Sequence, residues 1–279
     1  MSTATASSRN GRTSGQRLSR WLSTNAIRIY AVIGFAYLFV PVAYTFAYSF
    51  NNSGKSNLNW RGFTLEKWSN PCGAPDVCTA LGNSLKIGLI ATVVATVLGT
   101  MIAFALARHR FRGRTATNLT IFLPMATPEV VLGASLLALF LNAGINPGFW
   151  TIVIAHVMFC ISFVVVTVKA RLAGLDPRLE QAAMDLYANE AQTFRRVTLP
   201  LVAPGIMAGA LLAFSLSFDD FIITNFNSGD VNTFPKFVWV SSLRGIPAQA
   251  NVIASAMFFI ALFTVLFAQL VAGRRRKAT

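Results

Sequence analysis

A chain of 279 residues with 54% apolar and only 12% charged side chains has too little charge to cover a soluble domain of its length, which excludes most cytosolic enzymes. Its net charge of +14 would suit a nucleic-acid partner if it formed one patch. Instead the basic residues are dispersed between long apolar runs, the pattern of an all-α integral membrane protein.

Residues 1–24 are rich in Ser, Thr and Arg and are expected to be a disordered, basic cytoplasmic N-terminus. One membrane domain follows over 25–273, with a basic tail at 274–279. Its apolar runs lie at 27–50, 84–107, 116–141, 150–168, 202–223 and 252–272, each long enough to cross a hydrocarbon core of about 30 Å as a helix. The first run is too long for a signal-peptide core and lacks a cleavage site, so it reads as a retained span.

Between spans one and two, Trp60, Phe63, Leu65 and Trp68 predict a short amphipathic element at the membrane surface. Cys72 and Cys78 follow, flanked by Pro71, Gly73 and Pro75. In an oxidising compartment a disulfide would pin this tip; two free thiols fit the spacing equally well. Cys160 lies inside span four as a small core residue. A basic loop, 108–114, leads into span three. Pro124 and Pro128 interrupt that span just before Glu129, opening the backbone there.

The basic residues sort by segment. Arg9, Arg12, Arg17, Arg20, Arg28, the arginines of 108–114, Lys169, Arg171, Arg178, Arg195, Arg196 and the 274–277 cluster fall on one side of a six-span topology. The other side keeps only Lys55, Arg61, Lys67, Lys236 and Arg244, with Lys86 near the end of span two. The positive-inside rule then places both termini in the cytoplasm. No nucleic-acid partner is needed to explain the charge; membrane lipid is the expected surrounding.

The longest inner connection, 169–201, is hydrophilic but patterned. Asp176 before Pro177 is a helix start, and Leu179, Ala182, Ala183 and Leu186 recur on one helical face. Asn189 with Gln192 caps a second short helix that includes Phe194 and is expected to stop before Pro200. Such a helix-turn-helix suits docking into a groove on a partner, or is an ordinary amphipathic connector; periodicity leaves both open.

The acids within spans are Glu129, Asp219 and Asp220. Ionisable groups at that depth are costly and usually face a pathway, and carboxylates are what a desolvated cation needs. Adjacent residues on a helix diverge by about 100°. One aspartate is therefore expected on the path, the other at a helix end or paired with Arg244 or Lys236. By position, Asn225, Trp239, Phe237 and Tyr44 add polar or cation–π contacts. His109 and His156 lack any partnered ligand spacing, so no metal site is expected. The chain has no GxxxxGK[ST] phosphate loop and no catalytic constellation, which points away from an enzyme.

Gln181-Ala182-Ala183, then Tyr187, then Val197-Thr198-Leu199-Pro200 resemble the EAA loop of ABC-importer permeases. Gln181 stands where that family has Glu, although Glu180 is adjacent, and Tyr187 stands where it has Gly. The left-handed turn a glycine would supply is therefore expected at Asn189. The segments 150–171, 179–204 and 215–226, with Phe214–Phe221 the sharpest match, are similar to PotC-type permeases of spermidine/putrescine importers.

The resemblance implies a type I (MetI-like) permease fold of six transmembrane helices in a bacterial inner membrane. It implies a second, PotB-like permease, two copies of a PotA-like ATPase that binds ATP and magnesium, and an external PotD-like polyamine-binding protein. Glu180, Gln181, Ala182, Ala183, Asp185, Leu186, Tyr187, Asn189 and Phe194 would then couple to the ATPase, and this chain would hold no cofactor itself. A permease for another organic cation or an amino acid, or a proton-coupled secondary transporter relaying through Glu129 or Asp219, are the alternatives.

Overall fold

The computed structural model describes residues 14–54 and 56–277, with side chains placed between 25 and 266. In chain order the helices are α1 (Ser14–Tyr48), α2 (Glu66–Ser69), α3 (Val77–Arg108), α4 (Arg114–Ala126), α5 (Glu129–Asn142), α6 (Phe149–Ala173), α7 (Arg178–Asp185), α8 (Glu190–Thr193), α9 (Leu199–Asp219), α10 (Ile222–Asn227), α11 (Phe234–Arg244) and α12 (Ala248–Lys277). Five of them are long and apolar enough to span a membrane, and α4 with α5, a pair bent at a short break, makes a sixth when the two are counted as one span. The helix α1 already includes residues 14–24 of the segment expected to be disordered. Residues 1–13 of that segment, with Arg9 and Arg12, lie outside the described residues, as do Lys55 and the last two of the tail.

The chain forms two compact units. The first comprises residues up to Asn70 together with those from Ala248 onward. In it α1 packs along α12, with the Phe46 and Phe259 rings meeting edge to face at 5.2 Å. None of the most apolar stretch of α1 is buried by the chain itself, so that surface is left for lipid or another subunit.

The 49–70 segment is not one continuous amphipathic element; among its described residues the only helix is the four-residue α2. Polar side chains bend it into a knot instead. Asn51 donates to Asn57 Oδ1 (2.6 Å) and to the Asn59 carbonyl (2.8 Å), and accepts from the Arg61 N–H (2.7 Å). Asn57 returns a bond to the Tyr48 carbonyl at 2.7 Å. The Phe50 ring is stacked by Phe63 at 5.4 Å and by Trp68 at 5.5 Å. The rings thus stack across the turn while staying partly exposed, and Asn51, fully buried, satisfies its backbone.

The second unit runs from Pro71 to Pro247. Cys72 and Cys78 are bonded, with Cα atoms 5.4 Å apart, and Cys160 is a buried free thiol. The unit's core is the packing of α3, α6 and α9. In lipid the helices gain nothing from burying apolar surface against each other, so close backbone approach must hold them. α3 provides it with Ala91, Ala95, Gly99 and Ala103 at helical spacing on its buried face. A Cβ on Gly99 would stand 2.8 Å from Val164 of α6, and one on Gly205 of α9 would stand 2.6 Å from the Cβ of Arg171.

The third span is two helices that meet at 109°. The break falls at Thr127–Pro128, as the prolines predict: Pro128 lacks the N–H that would continue α4, and its ring disfavours helix at Thr127, whose φ/ψ of −81°/133° is extended.

Candidate functional site

Two regions carry the chemistry. The first is where α9 and α5 each begin or end at a break. α9 stops at Asp219, and Asp220 turns to ψ 126° before α10 starts. Glu129 is the first residue of α5. α5 and α10 are held together by Asn227, which donates to the Gly133 carbonyl at 3.2 Å. A Cβ on Gly133 would stand 2.9 Å from the Phe226 ring, so the contact needs glycine. This seam brings Glu129 within electrostatic reach of both aspartates.

The two aspartates have opposite fates. Asp219 is exposed and Asp220 buried. The Asp220 carboxylate accepts the Thr224 N–H (2.8 Å), the Thr224 hydroxyl (2.9 Å) and the Ile223 N–H (3.3 Å), which caps α10. It also meets His156 Nε2 at 3.2 Å, while His156 Nδ1 lies 2.7 Å from the Ser217 hydroxyl. A carboxylate only accepts, so Nε2 carries the proton toward Asp220 and Nδ1 faces Ser217.

Asp220 therefore is not open to a path, and its partner is neither Arg244 nor Lys236. Lys236 binds Ser228 Oγ (2.7 Å) and the carbonyls of Gly229 (2.9 Å) and Val231 (3.2 Å). Burial pushes its ammonium below the usual lysine range, against the opposing pull of Asp230. Sequence assigns His156 no role beyond the lack of metal-ligand spacing, and it carries no signal for this one, because the partners are 61 to 68 positions away. No group of metal-ligating side chains occurs among the described residues.

Glu129 and Asp219 remain as exposed acids, and neither has an ion-pair partner among the described residues. Asn225 is exposed on α10, and Trp239, 54% exposed, lies with its ring 5.1 Å from Phe221. Tyr44 belongs to the first unit, where it stacks on Tyr48 at 4.1 Å.

The second region is the 169–201 connection. Asp176 Oδ1 accepts the Arg178 N–H at 2.9 Å and starts α7. Asn189 and Gln192 form the expected reciprocal cap, at 2.8 and 3.1 Å. Two expectations fail. Tyr187, not Asn189, takes the left-handed conformation, with φ of 63°; Asn189 is held extended by its own cap. Nor does the helix stop before Pro200. The stretch Phe194–Thr198 widens into a π turn in which the Leu199 N–H reaches the Phe194 carbonyl. That wider turn accommodates the proline ring, and one helix continues from Glu190 to Asp219.

Leu186 and Tyr187 are 81% and 98% exposed, and Gln181, Ala182 and Asp185 are also exposed, while Ala183 is half-buried. Glu180 turns the other way. It holds the Arg108 guanidinium through both carboxylate oxygens and accepts the Thr198 hydroxyl at 2.6 Å. Phe194 meets Phe104 edge to face at 5.3 Å. The connection is thus fastened to the end of α3 on one face and presents apolar side chains on the other.

Residues 95–277 match the family described as binding-protein-dependent transport system inner membrane component. The chain is 35% identical over 255 residues to the spermidine/putrescine transport system permease protein PotC of Haemophilus influenzae, covering 91% of this chain and 98% of that protein. It is 37% identical over 232 residues to the putrescine transport system permease protein PotI of Escherichia coli, covering 80% of this chain and 82% of the relative. Among solved structures, a bacterial ABC transporter for the acidic polysaccharide alginate matches with a TM-score of 0.66 at 16% identity, over 92% of this chain and 98% of the other. The MetNI methionine ABC transporter matches with a TM-score of 0.57 at 15% identity, over 69% and 92%.

Proposed function

The chain belongs to the family of binding-protein-dependent transport inner membrane components, and on that premise we propose that it is the permease through which an ATP-driven importer moves polyamines into a bacterial cell. It works in the inner membrane with a second, PotB-like permease. Two copies of a PotA-like ATPase bind ATP and magnesium, and a PotD-like protein delivers spermidine or putrescine from outside. Both termini and the 169–201 connection face the cytoplasm, in keeping with the arginine distribution.

The observation that carries the cargo is the pair of exposed carboxylates, Glu129 and Asp219, at the breaks of two spans, with no ion-pair partner among the described residues. A polyamine must shed water to cross, and acids at helix breaks replace that water for a cation while offering nothing to an anion. Asn225 and Trp239 flank the same break. Asp220 supports the site by fixing the turn that exposes Asp219.

The coupling surface comprises Gln181, Ala182, Ala183, Asp185, Leu186, Tyr187 and Phe194, with Asn189 as a cap and Glu180 as the tie to α3. ATP-driven closure of the ATPase pair moves α7, and the Glu180–Arg108 contact passes that motion to α3.

The test is uptake of labelled spermidine in cells with and without this chain, neighbouring subunits intact and other polyamine transporters removed. Uptake is lost on deletion and restored by re-expression. Unchanged uptake overturns the cargo, which is then whatever solute the partner binding protein captures.

A further inference from the structure

Two neighbouring cavities lie at the end of α6, away from the acidic breaks and behind the exposed face of the coupling connection. One, of about 360 Å³, is bordered by Arg114, Lys169 and Asp176. The other, of about 280 Å³, is apolar, between Ile121 and Phe122 of α4 and Val166 and Ala170 of α6. They share Lys169 and Ala173, so a polar chamber lies beside an apolar groove.

Part of the positive charge in the polar chamber is unspent. Lys169 gives one bond, to Asn118 Oδ1 at 2.8 Å, which leaves two of its ammonium donors. Neither Lys169 nor Arg114 has an ion-pair partner among the described residues. Arg108 also borders the chamber, but Glu180 holds it. The acid present, Asp176, spends one oxygen on the Arg178 N–H. Arg114 also opens α4, whose first turn has no side-chain cap and no acidic residue; that end of a helix attracts an anion.

We infer that these adjacent cavities hold a phospholipid of the inner leaflet, its anionic phosphate-bearing headgroup between Lys169 and Arg114 and an acyl chain along the α4–α6 groove. An anion alone would explain the cations but not the adjoining apolar groove. A neutral lipid would explain the groove but not the excess of positive charge beside it, where Lys169 and Arg114 face the single acid Asp176. The inference rests on the proposed orientation, in which this end of α6 lies at the cytoplasmic boundary, where anionic lipids gather against basic residues.

The site is tested on the assembled transporter, purified in detergent through this chain, with phosphatidylglycerol or phosphatidylcholine titrated in and retained lipid read by native mass spectrometry. Phosphatidylglycerol is retained in preference, and inorganic phosphate does not displace it. Lys169→Met with Arg114→Gln lowers its retention by roughly twentyfold, with the complex still assembled. Ala170→Trp, which fills the groove and leaves both cations, lowers it as well. Equal retention of the two lipids, unchanged retention in either variant, or full displacement by phosphate overturns the inference. So does loss of the second permease on Ala170→Trp, which makes the groove a subunit interface. Retention is read without cargo or ATP, so an error in the proposed substrate leaves this result untouched.

Discussion

His156 and Asp220 form a pair that neither residue's surroundings would tolerate alone. Their side chains are 2% and 4% exposed, and removing one partner of such a pair strands the other at a cost of about 3–5 kcal/mol. His156→Leu should therefore abolish uptake by loosening the turn that presents Asp219. Adding Asp220→Asn should recover much of it, because a neutral amide still accepts from the Thr224 N–H and no charge is left unpaired. Radiolabelled uptake in the single and double variants checks this; a double variant as inactive as His156→Leu would mean that histidine acts through packing alone. Asp219→Asn, by contrast, should lower uptake about tenfold, the worth of one contact to a charged group, with normal subunit assembly on a native gel. Tyr187 illustrates a different residue-scale cost. An L-residue in the left-handed region carries a penalty of roughly 1–2 kcal/mol, and Tyr187, 98% exposed, makes little contact to offset it. Tyr187→Gly should raise protection of the Ala188 amide, bonded to the Ala183 carbonyl at 3.1 Å, by about fivefold in hydrogen exchange.

At the scale of elements, the 169–201 connection is a pair of short helices tied to α3 by Glu180. If that tie transmits the stroke, Arg108→Glu and Glu180→Arg should each leave ATP hydrolysis running while uptake falls. The two together should restore uptake, since opposite charges again face one another. Equal coupling ratios in all three variants would show that the contact transmits nothing. Much of this connection was legible locally: Asp176, Asn189 and Gln192 act within three residues of themselves, and their caps form as the residue types predict. The continuation through Pro200 was not, because it depends on a π turn that no local pattern announces. The same division holds in the 49–70 segment, where aromatic residues predicted a short amphipathic element at the membrane surface. The competing signal was Asn51, whose bonds to Asn57, Asn59 and Arg61 make a turn without periodicity. Helix packing is equally specific. Gly99→Ala places a methyl carbon 2.8 Å from Val164 and should destabilise the α3–α6 contact by about 1–3 kcal/mol, read as earlier thermal aggregation of the detergent-solubilised complex.

Over the whole molecule, the six spans were legible because bilayer thickness dictates helix length and the chain offers no other use for such runs. What could not be read was which acid faces outward, since that is decided by His156 on another span. Orientation rests on the arginines and can be checked at the disulfide. Cys72 and Cys78 should react with a membrane-impermeant maleimide added outside intact cells only after reduction; labelling solely from the inside would invert the topology. Buried Cys160 serves as the internal blank.

The bend in the third span also bears on how the chain enters the membrane during synthesis. Its halves contain 13 and 14 residues, each about 20 Å long as helix, short of the hydrocarbon thickness. Neither half is a competent insertion signal by itself, and the polar ends at Thr127 and Glu129 would have to be dragged into lipid. Their settlement must wait for α6, whose longer apolar helix can insert unaided and offer a protein surface to α4. Partition of this chain into the bilayer is therefore not a sequence of six independent decisions. Ribosome-bound intermediates that end near Asn142 are the vulnerable ones, exposed to misorientation and proteolysis until the next span emerges.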